Sequence, residues 1–164
     1  MLRLANAFHT GVVVRDVDEA IAEYAAAFTT GWTSVERREL ALRGPDGAFR
    51  LSVRVAYSVE GPHRIELIDS VPGTMWESPS NAKVGVTAAH HTGFWSDDVA
   101  AESRALSVAG CPLLATLDQD VADVAYLAYH RMPNGSLIEL VDVAIRAGME
   151  EWWAGRAPFP ARPI

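Results

Sequence analysis

The chain has 164 residues, 49% hydrophobic and 21% charged, with a formal net charge of −7 and a single cysteine. That length suits one domain with its own core, and the acidic balance argues against nucleic acid or an anionic membrane surface as partner. One cysteine excludes an intrachain disulfide and fits a cytoplasmic protein, and no stretch is long and apolar enough to span a bilayer.

Met1–Asn6 is too short and mixed to read as a signal peptide. Residues 7–15 form a β-branched run that predicts a strand. Asp16 with Glu19 makes a capping box, and the helix expected behind it, over about 17–28, puts Val17, Ala20, Ile21, Tyr24 and Phe28 on one face before Gly31 ends it. Strands are expected over 32–43, 49–59 and 64–69, with a turn at Gly44-Pro45-Asp46-Gly47. The first half therefore reads βαβββ.

Residues 70–88 carry prolines and glycines without a period and read as a linker or a loop over a site, with Trp76 as lid or anchor. The plan then repeats. A strand over 88–96 leads to a helix over about 99–109, capped by Asp97 or Asp98 and ended by Gly110. Strands follow at 112–117, 124–131 and 136–143, the last after the turn Met132-Pro133-Asn134-Gly135. The expected fold is α+β: two paired βαβββ modules, about 7–70 and 88–143, joined by a linker over 71–87 into a curved mixed sheet around a cleft. Residues 1–145 make one domain on this reading, and 146–164 a tail. Its Trp152 and Trp153 suggest docking on the body of the protein or on a second subunit, and a homodimer is expected.

Short motifs repeat along with the elements. His9-Thr10-Gly11 returns as His91-Thr92-Gly93, and Ile65-Glu66-Leu67 returns as Ile138-Glu139-Leu140. A lone strand His is usually a satisfied core or edge residue, and His63, His90 and His130 are read that way, with His90 facing away from His91. Two His and two Glu at repeated positions are different, because paired modules bring corresponding positions together. The result is a His₂Glu₂ set that could ligate one divalent ion, and Ni, Co, Fe, Mn and Zn all suit it. Four protein ligands leave open positions for substrate oxygens. Val13 and Trp95 share strand faces with the two His, and Arg64 with Glu66; together with Trp76 they are the candidate pocket residues.

These features resemble the vicinal oxygen chelate superfamily, which includes glyoxalases, methylmalonyl-CoA epimerase, extradiol dioxygenases and bleomycin-resistance proteins. The resemblance covers about residues 7–143 and rests on the paired modules, the HTG openings and the Pro133-Asn134-Gly135…Ile138-Glu139-Leu140 ending. It implies metal ligation by His9, Glu66, His91 and Glu139, in an order similar to bacterial glyoxalases. It also implies a lyase or isomerase acting on a small substrate with adjacent oxygens through an enolate-like anion, with Glu139 as base and Glu66 as the steadier ligand. In bacterial glyoxalases an Arg four residues after the first ligand His and an Asn four after the first ligand Glu help to hold glutathione. Here those positions are Val13 and Ser70, so weak or no use of glutathione is expected. The alternatives are a non-catalytic drug-binding protein, which Trp32, Trp76 and Trp95 would suit, and, less favoured, a ring-cleaving dioxygenase.

Overall fold

The computed structural model describes residues 2–78, 89–117 and 126–160. Two βαβββ modules are present: β1 (Ala7–Val14), α1 (Val17–Ala27), β2 (Glu36–Gly44), β3 (Gly47–Tyr57) and β4 (Arg64–Asp69), then β5 (Ala89–Ser96), α2 (Val99–Val108), β6 (Leu113–Leu117), β7 (Leu127–Arg131) and β8 (Leu137–Asp142). The strands close into a barrel in the order β1-β4-β3-β2-β6-β7-β8-β5. In each module the first strand runs parallel to the last, β1 to β4 and β5 to β8. The modules meet along an antiparallel β1–β5 seam, where Thr10 faces Thr92, and along a shorter β2–β6 seam.

Local chemistry explains the element limits. Asp16 caps α1 by accepting from the Glu19 amide at 2.9 Å, and Asp98 caps α2 through the Ala101 amide at 2.8 Å. Asp69, at the end of β4, accepts from the Val17 amide at 2.7 Å and ties the helix start to the sheet. Several expected limits differ by one to four residues; β3, for example, runs from Gly47 to Tyr57 rather than over 49–59. Helix α1 stops at Ala27, and Phe28 is an extended, exposed C-cap rather than part of the apolar face. Strand β2 begins at Glu36, since Trp32 makes only an isolated bridge to Ser58. Helix α2 ends at Val108. The linker expected over 71–87 and the expected strand starts at 88 and 124 lie partly outside the described residues.

Strand alternation divides the apolar side chains between inside and outside. Val12, Val14, Ala56 and Leu67 pack beneath α1, while Phe94, Ala128, Ile138 and Leu140 take the corresponding places beneath α2. Leu67 and Leu140 are fully buried, and each contributes about 1.5–3 kcal/mol on hydrophobic burial. Since the central residue of an Ile-Glu-Leu triplet must point the opposite way from its Leu, this packing drives Glu66 and Glu139 into the barrel. Inside the barrel, Val13, Val53, Val55, Ile68, Trp76 and Tyr129 form one cluster.

After β8, a 3₁₀ turn (Val143–Ile145) leads into α3 (Arg146–Trp153). Met149, Trp152 and Trp153 are buried against Phe8, Tyr57 and Trp95 of the same chain. The chain then folds back on α3, where a Cβ at Gly148 would lie 2.8 Å from Pro160. No described helix is long and apolar enough to cross a membrane.

Candidate metal centre

The two HTG motifs lie across the β1–β5 seam with His9 opposite Gly93 and Gly11 opposite His91. Each imidazole lies over the other motif's glycine. A Cβ on Gly11 would stand 2.0 Å from His91 Cε1, and one on Gly93 would stand 1.9 Å from His9 Cε1. The parallel partners complete the arrangement, because Gly11 also pairs with Glu66, and Gly93 with Glu139. Every repeated glycine is thus flanked by a His from one strand and a Glu from the other.

Four donor atoms converge as a result. His9 Nε2 lies 2.9 Å from His91 Nε2, 3.3 Å from Glu66 Oε2 and 3.1 Å from Glu139 Oε2. His91 Nε2 lies 3.3 Å from each carboxylate. Ligands about 2.0–2.1 Å from a common tetrahedral centre are about 3.3 Å apart, so this spacing fits a first-row divalent ion. All four residues are buried, and together they form a group that could hold a metal. Two imidazole nitrogens and two carboxylate oxygens aimed at one point, away from water, are costly unless a cation or protons lie between them.

Electrostatics in the metal-free chain point the same way. Burial pulls the His91 imidazole down, but hydrogen bonds to Glu139 and Glu66 outweigh it and raise its pKa to about 9. His9 is raised by the same balance. Burial pushes Glu66 up, yet contact with both imidazoles brings it to about 2, and Glu139 is lowered likewise. Protons on the two His take the place that a cation could fill.

The supporting contacts repeat as well. Tyr57 donates to Glu66 Oε1 at 2.5 Å, and Tyr129 donates to Glu139 Oε1 at 2.6 Å. The two phenols are held protonated, first by burial and then by the carboxylate charges beside them. Sequence reasoning missed both tyrosines as functional, although a signal existed. Ala56-Tyr57 and Ala128-Tyr129 are a further repeated pair, each Ala packing under a helix and each Tyr pointing inward.

The imidazoles differ in one respect. His91 Nδ1 lies 2.9 Å from His90 Nδ1, and His90 Nε2 lies 2.7 Å from the Met75 carbonyl. That carbonyl can only accept, so His90 carries its proton on Nε2. Burial, and then the charge on His91, hold His90 at about 4, so it is neutral near pH 7. His90 Nδ1 therefore accepts from His91 Nδ1–H, so the nitrogen that faces the site is His91 Nε2, which would offer its lone pair to a cation on losing its proton. His90 thus contacts His91 instead of facing away from it. His9 Nδ1 is buried without a hydrogen-bond partner. His130 is a satisfied core residue, bonded to the Cys111 carbonyl and the Ser103 hydroxyl, each at 2.8 Å. His63 lies on Thr10 at 2.9 Å.

The carboxylates and both tyrosines face a cavity of about 140 Å³. Trp76 lines it. Val13 packs into the core cluster beside Trp76, Trp95 stacks on Phe8 at 3.7 Å, and the Arg64 guanidinium lies 3.9 Å from the Trp153 ring centre. The cavity is also lined by Ile145, Met149 and Phe159 from beyond β8, a contribution that no repeat in the sequence signals.

Residues 8–129 match the glyoxalase/bleomycin resistance protein/dioxygenase superfamily. The chain belongs to that superfamily. No protein of curated function matches it. Among solved structures it is similar to methylmalonyl-CoA epimerase from Mycobacterium tuberculosis, at 21% identity and a TM-score of 0.58 over 91% of this chain and 97% of that one. A Streptomyces coelicolor methylmalonyl-CoA epimerase variant in complex with 2-nitronate-propionyl-CoA gives 19% identity and a TM-score of 0.53, over 84% and 96% of the two chains. Likeness at these identities speaks for the fold alone. Within the superfamily fold of this chain, Val13 is buried, and the Ser70 hydroxyl accepts from the Ser78 amide at 2.9 Å.

Proposed function

We propose that this member of the superfamily is a metal-dependent lyase or isomerase acting on a small substrate with adjacent oxygens, through an enolate-like anion. The observation that carries the reading is the convergence of four buried donor atoms, two imidazole and two carboxylate, at the end of an apolar cavity. His9, Glu66, His91 and Glu139 would hold the ion, which supplies Lewis-acid polarisation of the substrate oxygens.

The chain's own groups supply the proton chemistry. Glu139, lining the cavity, takes the proton from the carbon beside the polarised carbonyl. Its Oε1 is held by Tyr129, which leaves Oε2 to move between the ligand set and the substrate. Glu66 is held in the same way by Tyr57, and it is the resemblance to bacterial glyoxalases that assigns it the part of the steadier ligand. Apolar walls exclude water from the anion. A sequestering protein would use the same walls but has no need of four convergent buried donors.

The test is exchange of substrate C–H with D₂O, followed by NMR over a panel of 2-hydroxy ketones, 2-hydroxy acids and acyl thioesters. Metal-loaded protein should exchange at least one of them. Chelator-treated protein should not, and Glu139→Gln should keep the metal yet lose exchange. Exchange that survives in Glu139→Gln but disappears in Glu66→Gln would reverse the two roles.

A further inference from the structure

Among the described residues, the cavity beside the four donors is small and partly enclosed. Its polar end carries Glu66, Glu139, Tyr57 and Tyr129. Val53, Val55, Ile68, Leu127 and Val141 line it as well, together with Arg38, Glu39 and Leu40. A volume of about 140 Å³ is well below the several hundred Å³ of pockets for drug-sized ligands, and close to that of an apolar cavity that takes up benzene.

The segment after β8 forms part of its wall. Ile145, Met149 and Phe159 line the cavity, and the side chains around them are packed rather than laid loosely. Trp152 meets Tyr57 with ring centres 5.6 Å apart and Phe159 at 4.8 Å, while the Arg38 guanidinium sits 3.7 Å from the Phe159 ring centre. Met149, Trp152 and Trp153 are each under 5% exposed, so opening this side would put three large apolar side chains into water. Arg38 and Glu39, one of each charge, both line the cavity.

Resting on the proposed metal-dependent reading, we infer that the substrate is a compact vicinal-oxygen compound with an apolar body no larger than a phenyl or short branched alkyl group, seated between the ligand carboxylates and the C-terminal segment, and not a thioester of a long carrier. Its oxygens face Glu66 and Glu139, and its body fills the space along Val53, Val55 and Ile68.

The test is a binding series on the metal-loaded full chain, read by tryptophan fluorescence and calorimetry. The probes are glycolate, 2-hydroxy-4-methylpentanoate and methylmalonyl-CoA. The branched acid should bind at least tenfold more tightly than glycolate, and the CoA thioester should bind more weakly than either. Val53→Leu and Val53→Phe, which take up cavity volume in two steps, should weaken the branched acid progressively while glycolate affinity and metal content stay unchanged. Should Val53→Phe fail to fold, Val53→Leu alone decides the point. Tighter binding of methylmalonyl-CoA than of the branched acid, or equal binding of glycolate and the branched acid, overturns the inference and leaves the metal-dependent reading standing. Equal binding of the branched acid by chelator-treated protein has the opposite effect: it supports the small apolar body and removes the metal-dependent reading.

Discussion

The reciprocal seating of each imidazole on the opposite glycine makes Gly11→Ala a sharp perturbation. The added Cβ would stand 2.0 Å from His91 Cε1, 2.4 Å from Nδ1 and 2.7 Å from Nε2, against an ordinary contact of 3.4 Å or more. The ring must retreat by about 1.4 Å, the difference between 3.4 and 2.0 Å, whereas ligand positions tolerate only about 0.2 Å. His91 has no free space to enter, because its side chain is fully buried with His90 on one nitrogen and Tyr129 on its face. Overpacking of this kind costs about 1–3 kcal/mol, which a domain of this size survives. Metal affinity should fall by roughly 100-fold or more, beyond the usual loss of a supporting contact. Competition against a chromophoric chelator reads the affinity, and thermal unfolding reads the stability. Gly93→Ala should behave alike through His9, while Gly31→Ala, whose Cβ meets Val59 at 3.5 Å, should change neither. A Gly11→Ala protein with native melting temperature and metal affinity within threefold of the parent would refute the reciprocal seating.

Other outcomes follow from the same contacts. Replacing His90 by Phe removes the acceptor for His91 Nδ1–H, and metal affinity should fall about 10- to 100-fold; ¹⁵N NMR of the His91 ring should show loss of a single tautomer. Tyr129→Phe removes a hydrogen bond to a buried carboxylate and should cost about 1.5–3 kcal/mol of stability in chelator-treated protein, read by denaturant unfolding. The metal-free protein should also have a narrow stability optimum in pH. His91, raised from 6.5 to about 9, stabilises fully below pH 6.5 and loses that contribution as pH rises through 9. Glu66, depressed from 4.5 to about 2, stabilises above pH 4.5 and loses its contribution as pH falls through 2. The site's contribution should therefore peak between about pH 4.5 and 6.5, and metal should bind more tightly as pH rises toward 9, with proton release detectable by calorimetry in buffers of different ionisation enthalpy.

Much of this site was legible because it is built twice. HTG and Ile-Glu-Leu mark strands whose opposite faces have opposite duties, so the repeated Leu under a helix tells where the repeated Glu must point. The Ala-Tyr pair carried the same information and was passed over, because a Tyr in an alternating strand looks like ordinary core. His90 followed a sound rule, that neighbours on a strand face apart, yet a long imidazole reaches around to its neighbour when a carbonyl such as that of Met75 anchors its far nitrogen. The extent of α1 was misjudged at Phe28 because periodicity counts an aromatic as buried, whereas the chain had already left the helix. The C-terminal segment was the least legible part. Trp152 and Trp153 announce burial but not its location, and only the fold places them against Phe8, Tyr57 and Trp95.

The central claim is that His9, Glu66, His91 and Glu139 hold one divalent ion within a single chain. Its most direct test is elemental analysis of chelator-stripped protein reloaded separately with Ni²⁺, Co²⁺, Fe²⁺, Mn²⁺ and Zn²⁺, for the parent, His91→Ala and His130→Asn. The account predicts one ion per chain with at least one of these metals, at any protein concentration, retained in His130→Asn and lost in His91→Ala. Unchanged stoichiometry in His91→Ala, or no stoichiometric uptake of any of the five by the parent, would contradict it.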